Sequence, residues 1–309
     1  MYVANDMSAN NFVSLPSSHS SEASGDTNKV SQTLVPLDSA AARGLAVDAR
    51  TLTQASMGIA SSDLDGDGDI DFYVSGFARE YNIYYEQVSP GLWVDHTNRM
   101  GLVKPTLMMV GFGTEAIDMD NDGIDELIVA NGNIGSFIDP KGVPYEQPIQ
   151  IFRRDGTGKF TLVPDDSWGK YFADNHVGRA LLTADFNRDG HVDALVTQKH
   201  ESVSLLMNET KDANHHVAFQ LVATDASRDA VGSIVRFDCG NRNRILWAMS
   251  GDGYLCSNEK TLRAGLGEDN EIRNVTVTWQ DGSVDEFGTL SGDQRYLLVQ
   301  KAEEAFVLE

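Results

Sequence analysis

The nine residues Asp63-Leu64-Asp65-Gly66-Asp67-Gly68-Asp69-Ile70-Asp71, followed by Phe72-Tyr73-Val74, decide how this chain is read. The pattern recurs as Asp118-Met119-Asp120-Asn121-Asp122-Gly123-Ile124-Asp125-Glu126 before Leu127-Ile128-Val129. It recurs again as Asp185-Phe186-Asn187-Arg188-Asp189-Gly190-His191-Val192-Asp193 before Ala194-Leu195-Val196. All three carry oxygen-bearing side chains at positions one, three, five and nine, Gly at six and a β-forming exit. Oxygens on alternate residues of a short loop wrap a calcium ion, a hard cation that takes about six to eight oxygen ligands, and Gly at six permits the sharp turn. The ligands expected in the first loop are Asp63, Asp65, Asp67, Asp71 and the carbonyl of Asp69. In the second they are Asp118, Asp120, Asp122, Glu126 and the carbonyl of Ile124; in the third, Asp185, Asn187, Asp189, Asp193 and the carbonyl of His191. An EF-hand needs a bidentate acid at position twelve and flanking helices, and position twelve here is Val74, Val129 or Val196. A solvated Asx turn accounts for one such loop, but it leaves the mutual repulsion of the five acids between Asp63 and Asp71 uncompensated. So many candidate ligands also disfavour Mg2+.

The loops begin 55 and 67 residues apart, longer than a propeller repeat of about forty residues but compatible with four-stranded blades carrying insertions. Runs of small and apolar residues precede them, at Met57–Ala60, Gly111–Ile117 and Val177–Ala184, and suit tightly packed inner strands. Further strands follow around Asn82–Glu86, Gln150–Arg154 with Lys159–Val163, and Val203–Met207. Each unit therefore reads strand, acidic loop, strand, turn, strand and in places a fourth. Tyr2-Val3-Ala4-Asn5 stands where Leu127–Asn131 stands in a complete unit, so the chain is expected to begin inside a blade; residues 14–31 are Ser-rich and expected to form a surface loop. Beyond Met207 the acidic loops stop, and alternating β-segments such as Val217–Val222, Ser233–Phe237 and Val275–Trp279 predict a second all-β unit, with a boundary near 208–214.

These loops, each between strands, resemble the FG-GAP/VCBS repeats of integrin-type β-propellers, and Gly111-Phe112-Gly113 fits that family's name. The C-terminal third resembles the ASPIC/UnbV domain. The residues that carry this likeness include Asn214-His215-His216, Ser227-Arg228-Asp229-Ala230-Val231-Gly232, Gly251-Asp252-Gly253-Tyr254-Leu255, Gly265-Leu266-Gly267 and Val277-Thr278-Trp279-Gln280-Asp281-Gly282. Two departures stand out: Ala264 replaces the usual aromatic before Gly-Leu-Gly, and Gln280 stands where Pro is usual. The resemblance implies an all-β chain, with a partial propeller of three to four blades over residues 1–207 and a small sandwich-like ASPIC/UnbV domain over 208–309. It further implies about three Ca2+ ions and an extracellular or cell-envelope location, the export signal being lost upstream with the missing blades.

With 24 basic and 46 acidic residues among 309, the net charge of −22 argues against nucleic acid and anionic lipid as partners. No apolar stretch is long enough to cross a bilayer, and no signal-peptide pattern opens the chain. Cys239 and Cys256 either close one disulfide or remain separate thiols. The functional expectation is a non-catalytic, calcium-binding adhesion module for an extracellular protein or glycan. The alternative is a carbohydrate-active propeller enzyme using groups among His96, Arg153, Tyr171, His176 and Arg179. Ser227–Ala230 and Gly251–Tyr254 are either a recognition surface or strand-ending turns; His215 and His216, being adjacent in a strand, are expected to point to opposite faces.

Overall fold

The computed structural model describes residues 1–14, 36–135, 142–164, 168–211 and 214–308. Most of the Ser-rich stretch expected to form a surface loop lies outside them. Among the described residues the architecture is all-β apart from two short helices, Val103–Thr106 and Lys170–Ala173, and a 3-10 turn at Ala41–Arg43. Four small antiparallel sheets come first. Tyr2–Val3 (β1), Asn11–Ser14 (β2) and Leu37–Asp38 (β3) form one; Ile59–Ser62 (β4), Asp71–Val74 (β5), Ile83–Ser89 (β6) and Leu92–Asp95 (β7) form the next. Gly111–Ile117 (β8), Glu126–Asn131 (β9), Gln150–Arg154 (β10) and Phe160–Leu162 (β11) make the third; Gly178–Ala184 (β12), Asp193–Gln198 (β13) and Ser204–Leu206 (β14) make the fourth. All four are open, and among the described residues no sheet closes on itself.

Side chains alternate faces along a strand, and this alternation stacks the sheets. In β5, Tyr73 joins a core with Tyr84, Leu127, Val129, Phe152 and Phe160, while Phe72 and Val74 join Ile83, Tyr85 and Trp93 on the other face. In β9, Leu127 and Val129 face that first core, while Ile128 and Ala130 pack with Ile117, Ile151, Leu181 and Val196. β5 and β9 are thus buried on both faces and read as continuous apolar runs, each large side chain contributing about 1.5–3 kcal/mol by burial. Neighbouring sheets meet most closely at their first strands. A Cβ on Gly113 of β8 would lie 2.4 Å from the backbone N of Leu181 in β12, so the Gly-Phe-Gly run permits this approach.

The remaining strands make two facing sheets. His215–Val222 (β15), Ile234–Cys239 (β16), Arg242–Trp247 (β17), Leu262–Gly267 (β18), Glu271–Thr278 (β19), Val284–Ser291 (β20), Gln294–Val299 (β21) and Phe306–Leu308 (β22) are ordered β18-β15-β21-β22 and β17-β16-β19-β20. The β15–β21 pair is parallel. Phe219, Phe237, Val277, Trp279 and Leu298 fill the space between the two sheets. Cys239 and Cys256 are separate thiols. The Gly251–Tyr254 segment, exposed at Gly251, docks through Gly253 and Tyr254 on the first strands of the N-terminal sheets. Gly253 exchanges both backbone hydrogen bonds with Ile59 (3.1 and 2.7 Å), Tyr254 packs edge-on against Phe112, and Thr183 N–H donates to Asn258 Oδ1 at 2.9 Å.

Candidate metal centre

The three acidic loops fold alike. Residues four and six are left-handed in each: Gly66 and Gly68, Asn121 and Gly123, Arg188 and Gly190. Gly at six is legible in the sequence, whereas position four holds Gly, Asn or Arg, a conformation side chains other than Asn rarely adopt. The position-six N–H donates to the position-one carboxylate in every loop: Gly68 to Asp63 at 3.0 Å, Gly123 to Asp118 at 2.8 Å, Gly190 to Asp185 at 3.1 Å. Position seven donates to position five, from Asp69 to Asp67, Ile124 to Asp122 and His191 to Asp189, at 2.9, 2.8 and 3.0 Å. The position-nine acid accepts the N–H of position two, from Leu64 to Asp71, Met119 to Glu126 and Phe186 to Asp193. A strand starts at each position-nine residue, as the apolar exits require and as an EF-hand forbids.

What surrounds the loops differs. Asp63, Asp65 and Asp67 bring carboxylate oxygens within 4.8 Å of one another, as do Asp118, Asp120 and Glu126. Asp71 lies outside the first group, its oxygens taken by Gln87 N–H at 2.9 Å and the Tyr84 hydroxyl at 2.8 Å. In the third loop Asn187 replaces an acid and donates to Asp189, Arg263 pairs with Asp185 at 3.2 Å, and Asp193 accepts Asn208 N–H at 2.7 Å. The strand beside each position-nine acid adds a further distinction. One residue past the pairs Phe72↔Tyr85, Leu127↔Phe152 and Ala194↔Leu206 stand Glu86, Arg153 and Met207. Arg153 pairs with both Asp120 and Glu126.

Burial is the main force on these acids, with carboxylate neighbours adding to it. Asp118 is pushed up to about 8 by burial and by Asp125 and Asp122. Burial and Asp67 raise Asp65 to about 6, and burial raises Asp71 and Glu126 to about 7 against the hydrogen bonds they accept. A bound divalent cation inverts this balance by favouring the ionised carboxylates. The second loop supplies the fit: Asp118, 7% exposed, leaves Oδ1 buried without a partner, and so does Asp120. These orphaned acceptors, on residues whose carboxylates group with that of Glu126 within 4.8 Å, suit a hard, oxygen-seeking cation, which would satisfy what the protein itself leaves unpaired.

Residues 118–196 match the FG-GAP-like repeat. Residues 223–305 match ASPIC and UnbV. The FG-GAP-like match starts at the first residue of the second acidic loop and spans the third; the first loop, outside it, repeats the same hydrogen bonds. The chain is also similar to Cartilage acidic protein 1 of Homo sapiens, 22% identical over 248 residues. That stretch covers 79% of this chain but 36% of the human protein, so the chain spans about a third of its relative's length.

Of the groups considered for catalysis, the structure brings Tyr171 and His176 together. His176 stacks on Tyr171 at 4.2 Å and pairs with Glu201; Arg179 donates to Gly132 O and Asn133 O and lies over the Phe112 ring; His96 pairs with Glu86. Arg153 is held by the second acidic loop. A cavity of about 640 Å3 opens instead between the N-terminal sheets and the C-terminal pair, lined by Asp63, Asp65, Glu115, Asp118, Arg244 and Asp252 among others. Glu115 is the residue that pattern reading missed. It is 4% exposed in β8, faces Asp252 and has an unpartnered Oε1, and no motif marks it. His215 and His216 also depart from expectation. Both reach Asp293, at 2.6 and 3.4 Å, and the pairing with β18 shifts register between them.

Proposed function

We propose that this chain is a calcium-stabilised, non-catalytic binding module of the cell exterior or envelope. Its residues 1–207 would form an arc of FG-GAP propeller blades and 208–309 an ASPIC/UnbV domain. Stacking of the N-terminal sheets through both faces of β5 and β9 supports the arc. In this reading one ion sits in each acidic loop on the oxygens of positions one, three, five and nine and the position-seven carbonyl, Asp71 joining the first ion by exchanging the Tyr84 and Gln87 donors for it. The third site is the weakest, because Asn187 and the Arg263 pair reduce its charge. Each ion locks the turn between the first two strands of a blade and offsets part of the net charge of −22. The likeness to Cartilage acidic protein 1 supports a location outside the cytoplasm. The observation that carries the proposal is the orphaned pair Asp118 Oδ1 and Asp120 Oδ1.

Extracellular modules hold calcium with a Kd of about 10⁻⁴–10⁻³ M, and a ligand at 100 times its Kd adds about 2.7 kcal/mol of stability. Thermal melting in 20 mM calcium and in chelator tests the proposal (an assay condition of roughly 100 Kd). A higher Tm with calcium is expected; superimposable curves would refute it.

A further inference from the structure

The second acidic loop is gripped along its backbone by the C-terminal part of the chain. Five successive carbonyls, those of Met119, Asp120, Asn121, Asp122 and Gly123, each accept a hydrogen bond. The donors, in that order, are Asn208 Nδ2 (2.8 Å), Asn214 Nδ2 (2.8 Å), Gly267 N–H (2.8 Å), Arg242 Nη1 (3.2 Å) and Arg244 Nη1 (2.8 Å). The fit is close on both sides. A Cβ on Gly265 would lie 2.1 Å from Asp118 Oδ2, and one on Gly123 2.5 Å from Arg242 Nη1 and 2.6 Å from Arg244 Nη1. No hydrogen bond between the C-terminal sheets and the backbone of the first loop occurs among the described residues. Backbone carbonyls present this ladder only in one loop conformation. That conformation has Asn121 left-handed and one oxygen each of Asp118 and Asp120 buried without a partner.

We infer that cation binding in the second loop and docking of the C-terminal sheets are coupled, each strengthening the other, through this ladder of five carbonyls. The inference rests on the calcium reading above. An ion drawing Asp118, Asp120 and Glu126 together holds the loop in the form that the five donors recognise. Docking, by fixing that form first, lowers the ordering cost of binding the ion. Linkage makes the two effects equal in size, and such couplings are commonly about 5- to 150-fold.

The sign of one substitution isolates the effect. Arg242 and Arg244 are cations beside the acids, so by charge alone their removal tightens calcium binding; by coupling, it weakens binding. Calcium titration of the full chain, with D63N to identify the first site and D118N the second, reads the affinity of each. The double variant R242A/R244A and the milder R244A are compared with the parent chain, with the melt of the C-terminal sheets confirming that each folds. Hydrogen exchange of the Gly267 amide reads docking. The expected result is about tenfold weaker calcium binding at the second site alone in R242A/R244A, a smaller loss in R244A, and faster Gly267 exchange on chelation or in D118N. Equal or tighter second-site binding in the Arg variants, or Gly267 protection indifferent to calcium that does bind, overturns the coupling and leaves the calcium reading intact. A chain that binds no calcium overturns both.

Discussion

Replacing Arg153 by Met gives the second loop the neighbour found beside the third, and the sequence of effects follows from charge. Arg153 holds Asp120 and Glu126, the carboxylates a cation in that loop would share. A guanidinium and a divalent ion on the order of 5 Å apart repel by about 1.7 kcal/mol at a water-like dielectric. The screened figure is the right one because the Arg153 side chain is 41% exposed. R153M therefore binds calcium at the second site roughly 10- to 30-fold more tightly, since 1.4 kcal/mol is about tenfold. Without calcium the sign reverses. The Glu126 side chain is 1% exposed, and losing the guanidinium leaves it a buried acid with the Met119 N–H alone, among the described contacts, to offset its desolvation. The calcium-free Tm of R153M drops, by about 2–4 °C for each kcal/mol lost, while its rise on adding calcium exceeds that of the parent. Calorimetric titration and paired melts in calcium and chelator measure both. Second-site affinity unchanged or weakened by R153M would refute the placement of the ion among Asp118, Asp120 and Glu126.

Three further outcomes are expected. Asp48 is buried and accepts N–H groups of Arg50, Leu52 and Gln54; burial alone would raise its pKa, and these bonds overcome it and hold the carboxyl below its ordinary value. A depressed folded pKa gives stability that is present above the unfolded value of about 4 and lost as pH falls through the folded one; D48N should thus be less stable at pH 7, with the gap closing in melts taken toward pH 3. Trp279 fills the C-terminal core and donates from Nε1 to Asp285 at 2.7 Å, so W279A should cost about 3–5 kcal/mol in denaturant unfolding. G253A puts a Cβ 2.4 Å from Glu115 Oε1 at a residue with φ of +76°, and should loosen the 249–258 segment, read as faster exchange of the Gly253 amide, while leaving the Trp279 core intact.

The loops were legible because their information is local. Oxygen side chains at alternate positions, Gly68, Gly123 and Gly190 in the left-handed turn, and β-branched or aromatic exits all sit within about a dozen residues, and the strands begin where those exits say. The stacked sheets were legible for the same reason, since β5 and β9 are apolar at both parities. What escaped the sequence is carried by distant partners or by backbone. Asp71 accepts from Tyr84 and Gln87 because β6 supplies donors there, a fact of register. The five carbonyls gripped by Asn208, Asn214, Gly267, Arg242 and Arg244 have no side-chain signature at all. Glu115 gives no sign of burial until Asp252 and Gly253 are brought against it from another part of the chain. His215 and His216 share Asp293, a partner that two-residue periodicity does not point to.

Whether the acidic loops hold metal is answered most directly by elemental analysis of the protein after equilibrium dialysis against calcium, with D118N run alongside. The account predicts at least two calcium ions per chain in the parent protein and one fewer in D118N, matching the two close carboxylate groups at Asp63–Asp67 and Asp118–Glu126. Metal-free protein, or a count that D118N leaves unchanged, would contradict it.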